Sequence, residues 1–189
     1  MLDNKQNILT TALTLFALRG YESVGVQKIV DESKITKPTL YYYFGNKKGL
    51  LDAILQQYFE IFFKSLQNSI NTENTLISNL NSIAKVFFNF AKGNKLFYRF
   101  QLALFFSPPE SETHKSVLLH NSIIFELITS IFEREFKESG NKKVYSKYAF
   151  TFIGMLNNYI SLYLGDLLLL DEKAEKDVVN QFLYGITEK

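Results

Sequence analysis

Ile35-Thr36-Lys37-Pro38-Thr39-Leu40-Tyr41-Tyr42-Tyr43-Phe44 reads as a short helix whose start is marked twice. Thr36 is a good N-cap, and Pro38 falls in the first turn, where a missing N–H costs nothing. Proline also keeps the residue before it out of the α region, which places the boundary at Lys37. A helix of about two turns is too short to be stable alone. Leu40 and Phe44 share the face that must dock on neighbouring helices. That docking turns Lys37, Thr39, Tyr42 and Tyr43 largely outward, since three consecutive tyrosines cannot all be buried. Just upstream, Val26–Ser33 reads as another short helix with Ile29 and Val30 inward. Residues 26–44 therefore have the layout of a helix-turn-helix, whose second helix enters the DNA major groove.

Outward from that stretch, nearly everything has a helical period. Ile8, Leu9, Ala12, Leu13 and Phe16 form one apolar stripe, opened by Asp3 and Gln6 as a capping box and closed by Gly20. A long helix runs from Asn46 through Leu51, Leu55, Tyr58, Phe62 and Leu66. Beyond the polar residues 68–74, helices are expected near 75–92, 95–106, 109–138, 143–164 and 172–186. Ser107-Pro108-Pro109-Glu110 reads as a capping box opening the third of these, and Gly140 as its terminator. No alternating strand pattern, internal repeat or low-complexity tract interrupts the series. The fold class is all-α, about nine helices.

Composition narrows the function. The chain has 189 residues, 47% of them hydrophobic and 21% charged, so a core can form. With no cysteine, disulfide frameworks, thiolate metal sites and cysteine nucleophiles are excluded together. A net charge of +2 is too small for a wholesale polyanion binder, so placement matters more than the total. Residues 1–48 hold seven Lys/Arg and four Asp/Glu, whereas residues 49–189 hold fourteen and fifteen. No acid occurs between Glu32 and Asp52, a gap containing Lys34, Lys37, Lys47 and Lys48. Charge alone does not separate a solvated basic face from a phosphate-binding one. The interleaved tyrosines add hydroxyls that also donate to phosphate.

The stretch from Ile35 to Leu50 resembles the signature of the TetR (tetracycline-repressor-like) family, roughly V-S-K-G-T-L-Y-x-H-F-x-N-K-E-E-L. Phe16-Ala17-Leu18-Arg19-Gly20-Tyr21 and Phe182-Leu183-Tyr184-Gly185-Ile186 match as well. The strong match covers about residues 4–55. The resemblance implies operator contacts at Thr36, Lys37, Thr39, Tyr41, Tyr42, Tyr43 and Lys47, with the tyrosines and Lys47 on phosphates and Lys37 and Thr39 at base edges. Lys can donate to guanine, and Thr offers a hydroxyl or a methyl. The alternative for Tyr41 is packing, and for Lys47 a solvated charge. Four departures stand out: Pro38 and Tyr43 replace a usual small residue and a usual histidine, Val24-Gly25 a Thr-Ser cap, and Gly49 an acid that would complete a box with Asn46. The implied division is a DNA-binding domain over 1–48 and a helical ligand-binding and dimerisation domain over 49–189.

Within 49–189, the helix near 143–164 has two apolar stripes. Tyr148, Phe152, Met155, Tyr159 and Tyr163 line one; Ala149, Ile153, Leu156, Ile160 and Leu164 line the next. A helix apolar almost all round must be covered on several sides. The expected second cover is another subunit, through Ile153, Leu156, Ile160, Leu164, Val179 and Phe182. The resemblance implies the same pairing. Two copies would also let a two-turn reader recognise a palindrome. A small apolar or aromatic effector is expected in this portion, with Tyr98, Gln101, Phe105, His120, Phe152, Met155 and Tyr159 as candidate contacts, each as readily plain core. Tyr148–Gly165 lacks formal charge, but Asn157 and Asn158 near its middle argue against a membrane span. The N-terminal residues carry no export signal, and a cytoplasmic location is expected. His114 and His120 are poorly spaced to share a metal, no Glu-x-x-His occurs, and no phosphate loop or Gly-x-Ser-x-Gly is present. No cofactor, metal or catalysis is expected. Two other readings remain open: a regulator controlled by a partner protein, and a ligand-carrying bundle with a vestigial motif.

Overall fold

The computed structural model describes residues 4–136 and 142–186, and among these it contains nine α-helices and no strand. They are α1 (Asn4–Arg19), α2 (Val26–Ser33), α3 (Lys37–Phe44), α4 (Lys47–Ser69), α5 (Leu76–Gly93), α6 (Lys95–Phe105), α7 (Glu112–Glu135), α8 (Lys142–Leu164) and α9 (Glu172–Tyr184). The expected all-α series is thus present, nearly helix for helix. The capping box at Asp3 and the terminator at Gly140 lie outside the described residues.

Two compact units emerge, one from residues 1–60 and 96–120, the other from 61–95 and 121–189. Compactness therefore draws a different boundary from the expected 48/49 division, which rests on the helix-turn-helix segment. In the first unit α1 packs on α2, and α2 on α3. The stripe of α1 is buried as its spacing requires, and Gly20 ends the helix at φ +80, with its N–H bonded to Phe16 O at 2.9 Å. One helix start is corrected. Ser111, not Ser107, caps α7, accepting the His114 N–H at 3.1 Å. Residues 107–110 instead form the turn before it, where Ser111 N–H bonds Pro108 O. The pair of prolines holds that turn open and delays the helix.

In the second unit α5, α8 and α9 pack on one another. Phe62, near the end of α4, lies against Phe87 and Phe90, at ring separations of 4.8 and 4.5 Å. This packing corrects the expected subunit interface. Leu156 and Ile160 are 0% exposed, Val179 is 1% and Leu164 7%, so these side chains belong to the chain's own core. Each contributes roughly 1.5–3 kcal/mol by leaving water here. Ile153 and Phe182 are only half-buried, and Phe182 meets Phe152 and Phe132 within the chain. Among the described residues α7 is the one helix long and apolar enough to cross a membrane by length and composition. Its Val117, Ile124, Ile128, Ile131 and Phe132 are buried.

Candidate nucleic-acid interface

The helix-turn-helix is built from local devices. Gly25 starts α2 with extended backbone and no side-chain cap, in keeping with the missing Thr-Ser pair. Lys34 closes α2 in the left-handed region at φ 54. The Lys34 and Ile35 N–H groups bond back to Asp31 O and Val30 O, a paired ending that satisfies carbonyls left open by the last turn. Asn7 Nδ2 on α1 donates to Ser33 O at 2.8 Å and pins that ending from the side.

α3 begins as its sequence requires. Thr36 Oγ1 accepts the Thr39 N–H at 3.4 Å and lies 2.8 Å from Thr39 Oγ1. Whichever hydroxyl donates within that pair, one hydroxyl hydrogen is left for an acceptor outside. Leu40 and Phe44 are buried beneath the helix. Lys37, Tyr41 and Tyr42 are exposed, Tyr42 most of all at 84%, whereas Thr39 and Tyr43 are half-buried. Tyr43 is held by edge contact with Tyr42 at 5.2 Å and by Phe44 at 6.0 Å.

The four lysines of the acid-free gap are not equivalent. Lys48 is tied to Asp52 at 2.5 Å, one turn along α4. Upstream, Lys28 is likewise tied to Glu32 at 2.6 Å. Among the described residues, no carboxylate pairs with Lys34, Lys37 or Lys47. Lys47 is half-buried with its Nζ 4.0 Å from the centre of the Tyr21 ring. Burial lowers its pKa, while the nearby Glu22 and Glu112 carboxylates oppose that shift. The Tyr21 phenol is itself pushed well up, first by burial and then by Glu112. Sequence reading assigned Tyr21 and Glu112 no role. The Gly20-Tyr21 pair was visible after the first helix, but nothing local ties it to Lys47.

The candidate effector contacts divide between the two units. Tyr98 and Gln101, buried, and Phe105 and His120, half-buried, belong to the first. Phe152, buried, with Met155 and Tyr159, half-buried, belong to the second. His120 stacks on Phe59 at 5.0 Å, and burial lowers its pKa despite the opposing Asp52. It borders a cleft of about 590 Å³ whose other walls include Lys48, Asp52, Gln56, Glu112, Lys115 and Ser116, and none of the other six candidates lines it. Tyr159 donates to Gln181 Oε1 at 3.0 Å and stacks on Phe88.

Residues 8–54 match the family model described as bacterial regulatory proteins, tetR family. The chain is 41% identical over 68 residues to YuxN of Bacillus subtilis, an uncharacterized HTH-type transcriptional regulator; the match covers 36% of this chain and 23% of that protein. It is 27% identical over 97 residues to the transcriptional activator FasR of Mycolicibacterium smegmatis, covering 51% and 44%. The chain spans less than half the length of these two relatives. Among solved structures, the fatty acid degradation regulator FadR of Bacillus halodurans superposes with a TM-score of 0.79 at 18% identity, covering 96% of this chain and 99% of that one, and so shares the fold. The matched residues lie across α1, α2, α3 and the start of α4, so the likeness to the tetR family of bacterial regulatory proteins is carried by the helix-turn-helix segment.

Proposed function

We propose that the chain is a sequence-specific transcriptional regulator that binds operator DNA through α3 and the first turn of α4. The observation that carries this reading is the surface of α3. A two-turn helix, anchored by buried Leu40 and Phe44, turns Lys37, Tyr41 and Tyr42 to solvent beside the half-buried Thr39 and Tyr43. Lys37 and Thr39 read base edges; Tyr41, Tyr42, Tyr43 and Lys47 hold phosphates; Thr36 caps the reader and stands at its rim. One such reader makes few contacts, so the working form is a homodimer on a palindrome. Its partner surface lies outside the buried stripe of α8, where Phe150 and Leu162 face solvent. A small apolar or aromatic effector releases the DNA, as a repressor requires, by preferring one of two conformations. Residues 49–189 serve effector binding and dimerisation, and the protein works on cytoplasmic DNA. FadR is named for fatty acid degradation, so acyl chains belong among the first effectors tried.

Selection of bound sequences from random duplex DNA tests the reading. An enriched palindrome is expected; recovery of the input mixture refutes it. On the selected site, Lys37→Ala and Thr39→Ala should change sequence preference by roughly 1–3 kcal/mol per base-edge contact. Lys47→Ala should weaken all sequences alike and flatten the log–log salt dependence by about one unit, through counterion release.

A further inference from the structure

We propose that Tyr21 is a positioning residue for Lys47: its ring holds the ammonium in place for a DNA phosphate without neutralising it. The proposal rests on the reading of Lys47 as a phosphate ligand. A free lysine carries much rotamer entropy, which it loses when it settles on a phosphate. Restraining it beforehand removes part of that loss, but the restraint must leave the charge usable. A carboxylate partner fails this condition, because it competes with the phosphate. Lys28 and Lys48 are in that position, held by Glu32 and Asp52 at 2.6 and 2.5 Å.

An aromatic face meets the condition. It attracts the cation through its quadrupole and takes no formal charge from it. Lys47 Nζ sits 4.0 Å from the Tyr21 ring centre; an ammonium has three N–H groups, and turning one to the ring engages only that one. The other two remain for phosphate oxygens. The ring itself is packed among its neighbours. It is only 7% exposed and meets Phe16 edge-on at 5.0 Å; Phe16 in turn stacks on Phe100 of α6 at 6.0 Å. At the far end, the Tyr21 hydroxyl donates to Glu112 Oε2 at 3.5 Å, in the first turn of α7. The carboxylates of Glu22 and Glu112 also lie close enough to favour the charged form of Lys47.

The test is a double-mutant cycle on binding to a mixed-sequence duplex, read by fluorescence anisotropy across a salt series. Tyr21→Met keeps an apolar side chain of similar reach and removes the π face; Tyr21→Phe keeps the face and removes the hydroxyl. Lys47→Ala should flatten the salt slope by about one unit in the natural chain. In the Tyr21→Met background, Lys47→Ala should cost about two- to five-fold less affinity than in the natural chain, the scale of an exposed cation–π contact. Tyr21→Phe should retain the coupling. Equal costs of Lys47→Ala in both backgrounds would overturn the positioning role while leaving the phosphate reading intact. An unchanged slope in Lys47→Ala itself would overturn both. NMR of the unsubstituted protein needs no variant to fold: the Lys47 Cε protons should resonate upfield of the other lysines, through the Tyr21 ring current. Their appearance among the ordinary lysine signals would also overturn the proposal.

Discussion

Asn79 holds the connection between α4 and α5 with one side chain. It is fully buried in the first turns of α5, and its Oδ1 accepts the Asn71 N–H at 3.0 Å. Its Nδ2 donates to Asn71 O at 3.0 Å and to Asn74 O at 3.3 Å. Both amide hydrogens and the carbonyl are used, which is how a polar side chain tolerates complete burial. Asn79→Ala should therefore take this partner from the Asn71 N–H and the Asn74 carbonyl, while Asn71 O keeps the Asn74 N–H, and cost about 1–3 kcal/mol, read as a lower midpoint in urea denaturation. A loss below about 0.5 kcal/mol, the range of an ordinary surface substitution, would show that the loop closes without it. At this same scale, Thr36 and Thr39 were legible beforehand, because an N-cap hydroxyl and the N–H it bonds lie three residues apart. Asn79 was not: its sequence neighbourhood is an ordinary polar run, and its importance comes from burial.

At the scale of elements, the corner between α3 and α4 explains a departure from the family signature. Gly45 stands at φ 71 and ψ −48, and the Asn46 N–H bonds back to Phe44 O at 2.8 Å. This is a three-residue γ-turn, for which glycine is suited by its tolerance of positive φ. The turn swings the Phe44 carbonyl against the first turn of α4, where a Cβ on Gly49 would sit only 2.1 Å from that oxygen. Asn46 still caps α4, accepting the Gly49 N–H at 2.8 Å. The acid that would complete the box at this position has no room. Gly49→Ala should thus destabilise by about 1–3 kcal/mol, the cost of overpacking, instead of gaining the ~1 kcal/mol that alanine offers over glycine in a helix. Thermal denaturation followed by circular dichroism decides the sign; a stabilised variant would mean that the corner is looser than described. The sequence showed the missing acid but not its cause, since a clash between residues 44 and 49 depends on the turn between them.

At the scale of the whole molecule, the two apolar stripes of α8 have different owners from those their spacing suggested. The side chains buried along α8 are Tyr145, Ala149, Phe152, Leu156, Ile160 and Leu164, which draw on both stripes. Phe150 and Leu162 stay exposed on the other side. Leu156→Glu should therefore unfold the chain, because it places an unpaired charge in a dry core. Leu162→Glu should leave the fold intact. Circular dichroism with analytical ultracentrifugation separates these outcomes, and a folded Leu156→Glu protein that merely loses its partner would restore the interface expected from the sequence. Periodicity identifies an apolar face but cannot say whether α5 and α9 or a second subunit will cover it.

Local chain chemistry decided the helices and the helix-turn-helix. Thr36, Pro38 and Leu40 act within one or two turns, and the apolar stripe of α1 is a property of its own period, so neither needs a distant partner to be read. Tertiary structure alone decided which residues of the two α8 stripes became core, which lysines lack a carboxylate partner, and that Tyr21 stands between Lys47 and Glu112. Tyr21 and Glu112 lie 91 residues apart in the chain. No local pattern encodes such a contact, because it exists only where distant segments pack together, and the free energy that fixes that meeting is the burial of all their faces together.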